Sequence, residues 1–341
     1  MDYRFSVIGY GHIGKKHAQV ISRLSNAKLL AVCDSQIIRQ EELQSEHPEV
    51  HFYTSWSELL QQETETEIVS ICLPNGLHAE AAIACLEAGK HVLIEKPMCL
   101  SKEEGEAILQ AAERANRHVW VVKQNRYSPP SQWMKQTIDS GKMGKILQIQ
   151  VNCFWNRDNR YYKSGIKNEH NWRGSNQWDG GILYTQFSHF IDLLFWVFHE
   201  IETLYSCFEN QNHRQLTEFA DQGTVVFKTR DGALGTLNVS INAWNQNMES
   251  SIVVLGEKGS FKIGGQYMDK IEYCQIEGVK TPQLAPSPEP NNYGPYSGSA
   301  SNHAAVYFHL MQHLQGHAHE STSAKEALKV VSWIESLGGE N

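Results

Sequence analysis

The sequence predicts two domains: an α/β domain with a doubly wound parallel sheet, then an α+β domain with a large open antiparallel sheet. The chain has 341 residues, more than one compact domain usually holds. Short apolar runs alternate with helical stretches in the first third of the chain, which is typical of parallel α/β sheets. Later strand-like runs follow one another directly, as in antiparallel sheets. We expect domains over residues 1–123 and 124–341, and leave open whether the terminal helix packs back on the first.

Five apolar runs are the predicted strands of the first domain: FSVIGYG, KLLAVCD, EIVSICLP, HVLIEKP and HVWVVKQ. Helices are expected between them, over residues 15–24, 55–61, 78–88 and 102–114. Ser55 or Ser57 would cap the second helix, and Gly89 would end the third. Ser101 and Glu104 have the spacing of a capping box at the start of the fourth.

The second domain is expected to begin with a helix over residues 130–140 and the strand KILQIQVNCFW. An apolar helix follows around residues 189–197, and then come five strands: GTVVFKTRDG, ALGTLNVSINAW, SSIVVLGEKG, SFKIGG and KIEYCQI. Asp231-Gly232 and Lys258-Gly259 are turn signals. Residues 281–302 read as a loop, and two helices near 303–314 and 323–336 close the chain.

Composition excludes several classes of protein. No apolar run approaches the roughly 20 residues of a membrane span, and the N-terminus has no secretory pattern. The seven cysteines are scattered without a C-x-x-C pair, which favours reduced thiols. A net charge of −8 disfavours binding to nucleic acid. We therefore expect a soluble cytoplasmic protein with no nucleic-acid or membrane partner.

Three glycines at the end of the first strand have the spacing G-x-G-x-x-G. Gly9 would permit a tight turn, Gly11 would let a pyrophosphate approach the backbone, and Gly14 would let helix and strand pack closely. The second strand ends in Asp34, twenty residues after Gly14, where a carboxylate can bind ribose hydroxyls. The pattern predicts a Rossmann dinucleotide site that includes His12 and Ile13 at the helix start.

Asp34 also bears on the choice of cofactor, because its charge would repel the 2′-phosphate of NADP. Arg39 lies five residues further on and could pair with such a phosphate, although it is expected to be helical. The sequence favours NAD.

Three further motifs identify a family. They are Leu73-Pro74-Asn75-Gly76-Leu77-His78, Glu95-Lys96-Pro97, and Gly180-Gly181 followed by His189-x-x-Asp192. Over essentially the whole chain the sequence resembles the glucose–fructose oxidoreductase, inositol dehydrogenase and rhizopine-catabolism family (Gfo/Idh/MocA). The resemblance implies NAD-dependent oxidation, and it implies cofactor contacts from Leu73, Pro74, Asn75, His78, Glu95 and Lys96.

The resemblance also implies pairing of subunits through the open sheet. We therefore expect a homodimer or homotetramer. Because this sheet is rich in Val, Ile and Phe, its exposed face is expected to be a large apolar patch that a second subunit covers.

Within the family, the lysine of Glu-Lys-Pro points at the reacting carbon, which makes Lys96 catalytic. The chemistry agrees, because oxidation of a carbinol needs a base near the hydroxyl, and burial near a positive nicotinamide lowers the pKa of a lysine. The alternative is a surface lysine before a turn. Glu95 would anchor the cofactor or the lysine, or cap the strand end. Pro97 is expected to be cis.

His189 matches the second catalytic position of the family, as an acid/base or a substrate-orienting group. The alternative is a histidine satisfied within the core. Four residues earlier, where many members carry aspartate, this chain has Thr185, which puts more weight on Lys96 and His189. Asp192 is expected to be structural. Gln124 and Arg126 would contact cofactor or substrate at the domain junction, or form a plain hydrogen-bond network there.

Residues 154–178 concentrate aromatic rings and arginines, which suit a sugar face and a carboxylate or phosphate. At least Trp172 could instead pack in the interdomain core. The expected substrate-binding residues are Lys96, Arg157, Tyr162, Trp172, Arg173, Thr185, Gln186 and His189. The stretch is similar to family members from sugar-nucleotide pathways, including UDP-N-acetylglucosaminuronate 3-dehydrogenases.

We therefore expect an NAD-dependent oxidoreductase that acts on a ring hydroxyl of a sugar. The favoured substrate is a nucleotide sugar such as a UDP-N-acetylhexosaminuronate, oxidised at C3. The alternatives are an NAD-dependent glycosidase of the same fold and a dehydrogenase of a free sugar or inositol. A catalytically silent NAD-binding regulator is disfavoured by the presence of Lys96 and His189.

Four histidines near the C-terminus raise the question of a metal. His309 and His313 are helical neighbours, and His317 and His319 follow. No third ligand at a firm spacing accompanies the pair, so no metal site is expected.

Overall fold

The computed structural model describes residues 2–163, 172–287, 298, 301–317 and 323–338. The chain divides into two compact units. Met1–Val122 and His303–Ser332 form the first, and Lys123–Asn302 and Trp333–Asn341 form the second. The last helix, Ala324–Ser336, is thus divided between the two units.

The helices and strands have the following bounds. The strands are β1 (Tyr3–Ile8), β2 (Ala27–Cys33), β3 (His51–Tyr53), β4 (Ile68–Ile71), β5 (His91–Ile94), β6 (Val119–Val121), β7 (Ile146–Phe154), β8 (Ile201–Glu209), β9 (Gln222–Thr229), β10 (Leu234–Ser240), β11 (Glu249–Gly256), β12 (Gly259–Gly264) and β13 (Lys270–Ile276). The helices are α1 (His12–Arg23), α2 (Arg39–Glu46), α3 (Trp56–Gln62), α4 (His78–Glu87), α5 (Lys102–Ala115), α6 (Pro129–Asp139), α7 (Asn159–Tyr162), α8 (Ser188–Phe198), α9 (His303–Leu314) and α10 (Ala324–Ser336).

The first unit contains a six-stranded sheet in the order β3-β2-β1-β4-β5-β6, and every neighbouring pair is parallel. The central strands are buried throughout. In Ile68–Ile71, for example, all four residues are buried, and all but Ser70 are apolar. Strands covered on both faces read as continuous apolar runs. The predicted doubly wound parallel sheet is confirmed.

The helix caps of this unit follow from local hydrogen bonds. The Ser55 hydroxyl accepts the Ser57 N–H at 3.2 Å, so Ser55 rather than Ser57 caps α3. The capping box before α5 is present, since Ser101 Oγ accepts the Glu104 N–H at 3.1 Å and Glu104 accepts the Ser101 N–H at 3.3 Å. These bonds satisfy amides that have no partner within the helix.

The second unit contains a seven-stranded sheet in the order β13-β12-β11-β7-β10-β9-β8. Five of its pairs are antiparallel, which confirms the predicted antiparallel sheet, and one pair, β7 with β10, is parallel. The exception follows from topology. The two meanders β8-β9-β10 and β11-β12-β13 lie on either side of β7, and β7 runs antiparallel to β11 but parallel to β10.

One face of this sheet is apolar and the other is mostly polar. Along β7, Ile149, Val151 and Cys153 are fully buried, whereas the alternate residues are half-buried. On that open face Asn238 donates to Asn152 at 2.9 Å and accepts from Thr224 at 3.1 Å. The exposed apolar residues are few, among them Tyr205, Leu234 and Tyr273. The expectation of a large apolar exposed face is therefore wrong, because Val, Ile and Phe alternate with polar residues and turn inward.

Among the residues that the structure describes, no helix is both long and apolar enough to cross a membrane.

Three imidazoles lie together in the first unit. The ring centroids of His91 and His118 are 5.2 Å apart, and those of His118 and His313 are 4.8 Å apart. His91 Nδ1 accepts the His118 N–H at 3.0 Å, and His313 Nδ1 accepts the indole N–H of Trp120 at 3.0 Å. Burial, together with His118 and Arg117, lowers the pKa of His91 to about 4. Burial also lowers the pKa of His118, with His313 adding to the effect.

This cluster predicts a loss of stability in mild acid. A histidine whose pKa is lower in the folded state takes up protons on unfolding, so the free energy of unfolding falls as pH falls. For His91 the window runs from its ordinary pKa of 6.5 down to about 4. The melting temperature should fall over this window, and His91→Asn, whose amide oxygen can still accept the His118 N–H, should make the fall shallower. Equal slopes in both proteins would contradict this account.

Candidate active site

The glycine-rich loop brings helix α1 against the backbone of the sheet. Gly9 has φ of +91°, and any side chain there would overlap the Cys72 carbonyl. A side chain at Gly14 would overlap the Gly9 carbonyl, whereas Gly11 faces open space. Gly11 is also the N-cap of α1 and offers no side chain to cover the first amides at His12 and Ile13. This geometry fits a dinucleotide pyrophosphate held at a helix N-terminus.

The Asp34 carboxylate lies beside this loop, directly after β2. Its Oδ2 accepts the Tyr10 N–H at 2.7 Å, and its Oδ1 accepts the Gln36 N–H at 2.9 Å. Each oxygen keeps a lone pair for a ribose hydroxyl. Arg39 is engaged elsewhere, since it donates to Glu42 at 2.9 Å. The loop therefore presents a fixed carboxylate where NADP would carry its phosphate.

His78 links the loops that follow β4 and β5. One ring nitrogen lies 2.7 Å from the Pro97 carbonyl and the other lies 2.9 Å from the Leu73 carbonyl. Burial lowers the pKa of His78, although the two carbonyls oppose the shift. Pro74 and Asn75 lie between these contacts, in a short 3₁₀ turn that leads into α4. The predicted cofactor loop is thus tied to the Lys96-Pro97 segment.

Glu95 and Lys96 follow β5 at the carboxyl edge of the parallel sheet, where α/β proteins bind ligands. Glu95 is buried and Lys96 is half-buried. The Lys96–Pro97 peptide is cis, as predicted.

Sequence reasoning missed the partners of Glu95. His17 Nε2 lies 3.0 Å from Glu95 Oε1, and His303 Nε2 lies 3.3 Å from the same oxygen. His17 also contacts the Tyr307 hydroxyl at 2.7 Å. Within the described ranges, His17, Glu95 and His303 form the compact group whose ligating atoms all lie within 4.8 Å of one another. The one sequence signal was that His17 lies on α1 one turn after Gly14.

The C-terminal histidines have other surroundings. His313 accepts the Trp120 indole N–H, and His309 packs edge-on against Phe308. His319 lies outside the described residues.

The second unit contains His189, in the first turn of α8. A π-helical turn over Leu183–Phe187 precedes α8 directly. Such turns are rare and occur often at functional sites. His189 is 5% exposed. The turn also carries Gln186, which is 3% exposed and has no hydrogen-bond partner for either amide atom, and the buried hydroxyl of Ser188 has none either. Buried polar groups without partners in the protein can be satisfied by ordered water or by a ligand.

The Thr185 hydroxyl is hydrogen-bonded to the side chain of Asp179, six residues earlier in the chain. This hydroxyl donates to the Asp179 carboxylate and contacts the Asp179 carbonyl at 3.0 Å. The same carboxylate accepts the Gly174 N–H at 2.8 Å and is fully buried. Where many members carry aspartate, this chain therefore has a threonine paired to an aspartate six residues earlier. Sequence reasoning missed Asp179, whose only signal was its place before the two glycines.

Asp192 anchors α8 to the segment that follows β6. Arg126 binds both of its oxygens at 2.7 Å, and Lys123 approaches at 3.2 Å. Burial would raise the pKa of Asp192, but Arg126 and Lys123 hold it below its usual range. Gln124 contributes its backbone carbonyl to the Asn302 amide at 3.2 Å. Arg126 is thus held in place by a buried ion pair.

The expected substrate residues form a stack of guanidinium groups and rings. Arg157 lies over the rings of Trp155 and Tyr161, at 4.8 and 5.3 Å from their centroids. Arg173 lies over Tyr161 and Trp172, at 4.7 and 5.4 Å.

The stack differs in burial along its length. Arg157 and Tyr162 are buried, and Tyr162 packs edge-on against Tyr161. Trp172 and Arg173 are half-buried. Residues 164–171 of the same stretch lie outside the described residues. Among its described residues, the stack is therefore more exposed at Trp172 and Arg173 than at Arg157 and Tyr162.

Together these features define a class. A parallel Rossmann sheet with a glycine loop after its first strand and a carboxylate after its second is typical of the nucleotide domain of an NAD-dependent oxidoreductase. Residues 3–123 match the profile described as an oxidoreductase family with an NAD-binding Rossmann fold, and residues 131–262 match the Gfo/Idh/MocA C-terminal domain. The chain belongs to the Gfo/Idh/MocA family of oxidoreductases, and it is a dehydrogenase with NAD as cofactor.

Solved structures and characterised proteins are similar over most of the chain. The WlbA dehydrogenase of Bordetella pertussis, solved with NADH and UDP-GlcNAcA, is 29% identical with a TM-score of 0.87, over 99% of this chain and 96% of that chain. The Chromobacterium violaceum WlbA dehydrogenase, solved with the same two ligands, is 30% identical with a TM-score of 0.86, over 99% and 93%. Inositol 2-dehydrogenase of Salmonella typhimurium is 25% identical over 76% of this chain and 73% of its own length.

The position of Asp34 predicts how cofactor selectivity responds to mutation. Asp34→Ala should weaken NADH binding about ten- to a hundredfold, because it removes a charged acceptor of hydrogen bonds. NADPH binding should weaken less or improve, since the repulsive charge is gone. Fluorescence titration of both cofactors measures the two dissociation constants, with the exposed turn variant Asp231→Ala as control. Tighter binding of NADPH than NADH by the unmodified protein would contradict the assignment.

Proposed function

We propose that this protein oxidises a ring hydroxyl of a nucleotide sugar, namely a UDP-N-acetylhexosaminuronate at C3, with NAD as hydride acceptor. The observation that carries the proposal is the likeness to two WlbA dehydrogenases solved with NADH and UDP-GlcNAcA, at 29% and 30% identity over 99% of this chain. A fold alone would not support a substrate, because many functions share one fold. The proposed substrate must therefore also fit the residues of this chain.

The cofactor loop meets the requirements of NAD. The backbone amides at the start of α1 would hold the pyrophosphate, and Asp34 would accept hydrogen bonds from the adenosine ribose. NAD supplies the acceptor for the hydride that leaves the sugar carbon. The alcohol proton must go to a group of the protein.

We assign that proton to Lys96, which follows β5 at the ligand-binding edge of the sheet. An amine there can accept the hydroxyl proton when it is in its neutral form. His189, buried in the first turn of α8, would orient the hydroxyl or relay its proton. We assign the acid/base chemistry to these two residues, because Thr185 has no carboxylate and the nearby Asp179 carboxylate is already held by the Thr185 hydroxyl and the Gly174 N–H.

Polar groups of the second unit suit an anionic sugar. Arg173 is half-buried and stacked on Tyr161 and Trp172, which leaves its guanidinium preorganised for a carboxylate or phosphate. The unpartnered amide of Gln186 can donate to and accept from sugar hydroxyls. Both features favour a substrate with a charged group and several hydroxyls.

The second candidate is a dehydrogenase of inositol or a free sugar. It is favoured by the 25% identity to inositol 2-dehydrogenases. An inositol has no charge, so the arginine stack would then have no ligand to bind.

The substrate test compares three compounds with NAD: UDP-N-acetylglucosaminuronate, UDP-N-acetylglucosamine and myo-inositol. We expect NADH and an equal amount of keto sugar from the first, and much less from the second, which lacks the carboxylate. Enzyme in molar excess also detects NADH that stays bound. Preference for myo-inositol would select the second candidate. Release of UDP with no net NADH would indicate a glycosidase that recycles its cofactor.

The acid/base assignment predicts the phenotypes of two variants. Lys96→Met should lower the rate of hydride transfer about a hundred- to ten-thousandfold, the usual cost of losing a positioned acid/base group. NADH affinity should stay within a few-fold, because the pyrophosphate and ribose contacts involve other residues. His189→Asn should lose less, and in rate rather than cofactor binding. Pre-steady-state NADH formation measures both, and full activity of Lys96→Met would remove Lys96 from the mechanism.

We propose further that the protein forms a homodimer or homotetramer through the open face of the second unit's sheet. This face offers a polar hydrogen-bond ladder together with Tyr205, Leu234 and Tyr273. A mixed face of this kind suits a subunit interface. Light scattering should give at least twice the mass of the chain, and Leu234→Glu should lower it. A monomer at micromolar concentration would contradict the proposal.

A further inference from the structure

Both oxygens of the Glu95 carboxylate have defined neighbours. Oε1 lies 3.0 Å from His17 Nε2 and 3.3 Å from His303 Nε2. Oε2 accepts the backbone N–H of Lys96 at 3.1 Å. Glu95 therefore connects α1 and the start of α9 to the residue that we assign as the base.

A chain of hydrogen bonds leads from Ser70 through Tyr307 and His17 to this carboxylate. The Ser70 hydroxyl on β4 lies 2.7 Å from the Tyr307 hydroxyl, which lies 2.7 Å from His17 Nδ1. Burial lowers the pKa of His17 although Glu95 opposes the shift, so the ring is neutral and has one N–H. Burial would raise the pKa of Glu95, but His17 and His303 hold it well below its usual range.

These protonation states give every hydrogen bond a direction. The ionised Glu95 can only accept, so His17 donates from Nε2 and must accept at Nδ1. Tyr307 then donates to His17, and Ser70 donates to Tyr307. The tautomer of His17 is therefore set by Glu95. Tyr307 holds the other side of the ring by donating to Nδ1, and the ring in turn holds the orientation of Glu95.

We infer that Glu95 is a positioning residue for Lys96, and that Tyr307 and His17 hold it in the required orientation. The inference rests on the proposed role of Lys96. The carboxylate holds the Lys96 backbone amide at the end of β5, and this sets the direction in which the lysine side chain leaves the sheet. A misplacement of about 1 Å at a reacting group costs on the order of a hundredfold in rate.

The alternative use of the same three side chains is to bind a metal ion. The hydrogen-bond pattern favours positioning, because both ring nitrogens of His17 are already engaged, by Tyr307 and by Glu95. A metal would have to displace the Tyr307–His17–Glu95 bonds.

The test uses Glu95→Gln, which keeps the shape and removes the charge, and Tyr307→Phe, which removes only the distal hydroxyl. The matched control is Tyr53→Phe, which deletes a tyrosine hydroxyl bonded to Glu63 at 2.7 Å in the same unit. Turnover is measured with NAD and UDP-N-acetylglucosaminuronate and expressed per NADH-binding site, so that unfolded protein does not count. Melting temperatures of all variants are recorded.

We expect kcat to fall about ten- to a hundredfold in Glu95→Gln and several-fold in Tyr307→Phe, with KM and the NADH dissociation constant within about threefold. A purely structural role would instead lower the melting temperature and leave kcat per site unchanged, as in Tyr53→Phe. A lower melting temperature with unchanged kcat per site in both Glu95→Gln and Tyr307→Phe would overturn the inference. If Glu95→Gln does not fold, Tyr307→Phe decides.

A second measurement does not depend on the substrate. The acylation rate of the Lys96 amine by an amine-reactive reagent is measured by peptide mass spectrometry, relative to the exposed Lys28. The ratio should change several-fold in Glu95→Gln and Tyr307→Phe but not in Tyr53→Phe. A changed ratio without any sugar-nucleotide turnover would support positioning while rejecting the proposed substrate. An unchanged ratio together with unchanged kcat, or a stoichiometric metal that Glu95→Gln loses, would overturn positioning.

Discussion

Helix α1 can lie against the backbone of the parallel sheet only because Gly14 has no side chain. A Cβ at this position would overlap the Gly9 carbonyl and would also meet the Cys72 side chain at 3.6 Å. This close approach fixes where α1 begins, directly after Gly11. It also fixes where the next turn lies, since His17 is three residues further on the same face. One steric requirement thus determines both the start of α1 and the contact between His17 and Glu95.

The sequence predicted the elements whose patterns are strong and local, and it missed those whose patterns are short or interrupted. The buried strands of the parallel sheet and the capping box at Ser101 were predicted correctly. Strand β3 has only three residues and a partly exposed edge position, so no period could mark it. Strand β8 was missed because its register shifts between Thr203 and Tyr205, which breaks the alternation and leaves Leu204 and Tyr205 exposed.

At the candidate site the sequence identified motif residues but not their partners. Glu95, Lys96 and His189 stand in recognisable motifs, whereas Tyr307 contacts His17 across 290 positions of the chain. Such contacts are set by the order of the strands and the path of the helices, and no local period encodes them. The π-helical turn before α8 was hidden for a related reason, because the apolar pattern of α8 continues through it and reads as ordinary helix.

Each unit contains a buried carboxylate, Glu95 in the first and Asp192 in the second, and the negative charge of each is stabilised by different kinds of groups. Asp192 is enclosed by the cations of Arg126 and Lys123, so its charge is cancelled where it lies. Glu95 accepts from the neutral ring of His17 and from a backbone amide, so no lysine or arginine side chain in this set cancels its charge. A buried charge held by neutral donors is costly, and it extends its field to its neighbours. The nearest neighbour along the chain is Lys96. The carboxylate paired with cations fixes α8 in place. The carboxylate held by neutral donors instead fixes the backbone amide of the residue that follows it, which is Lys96.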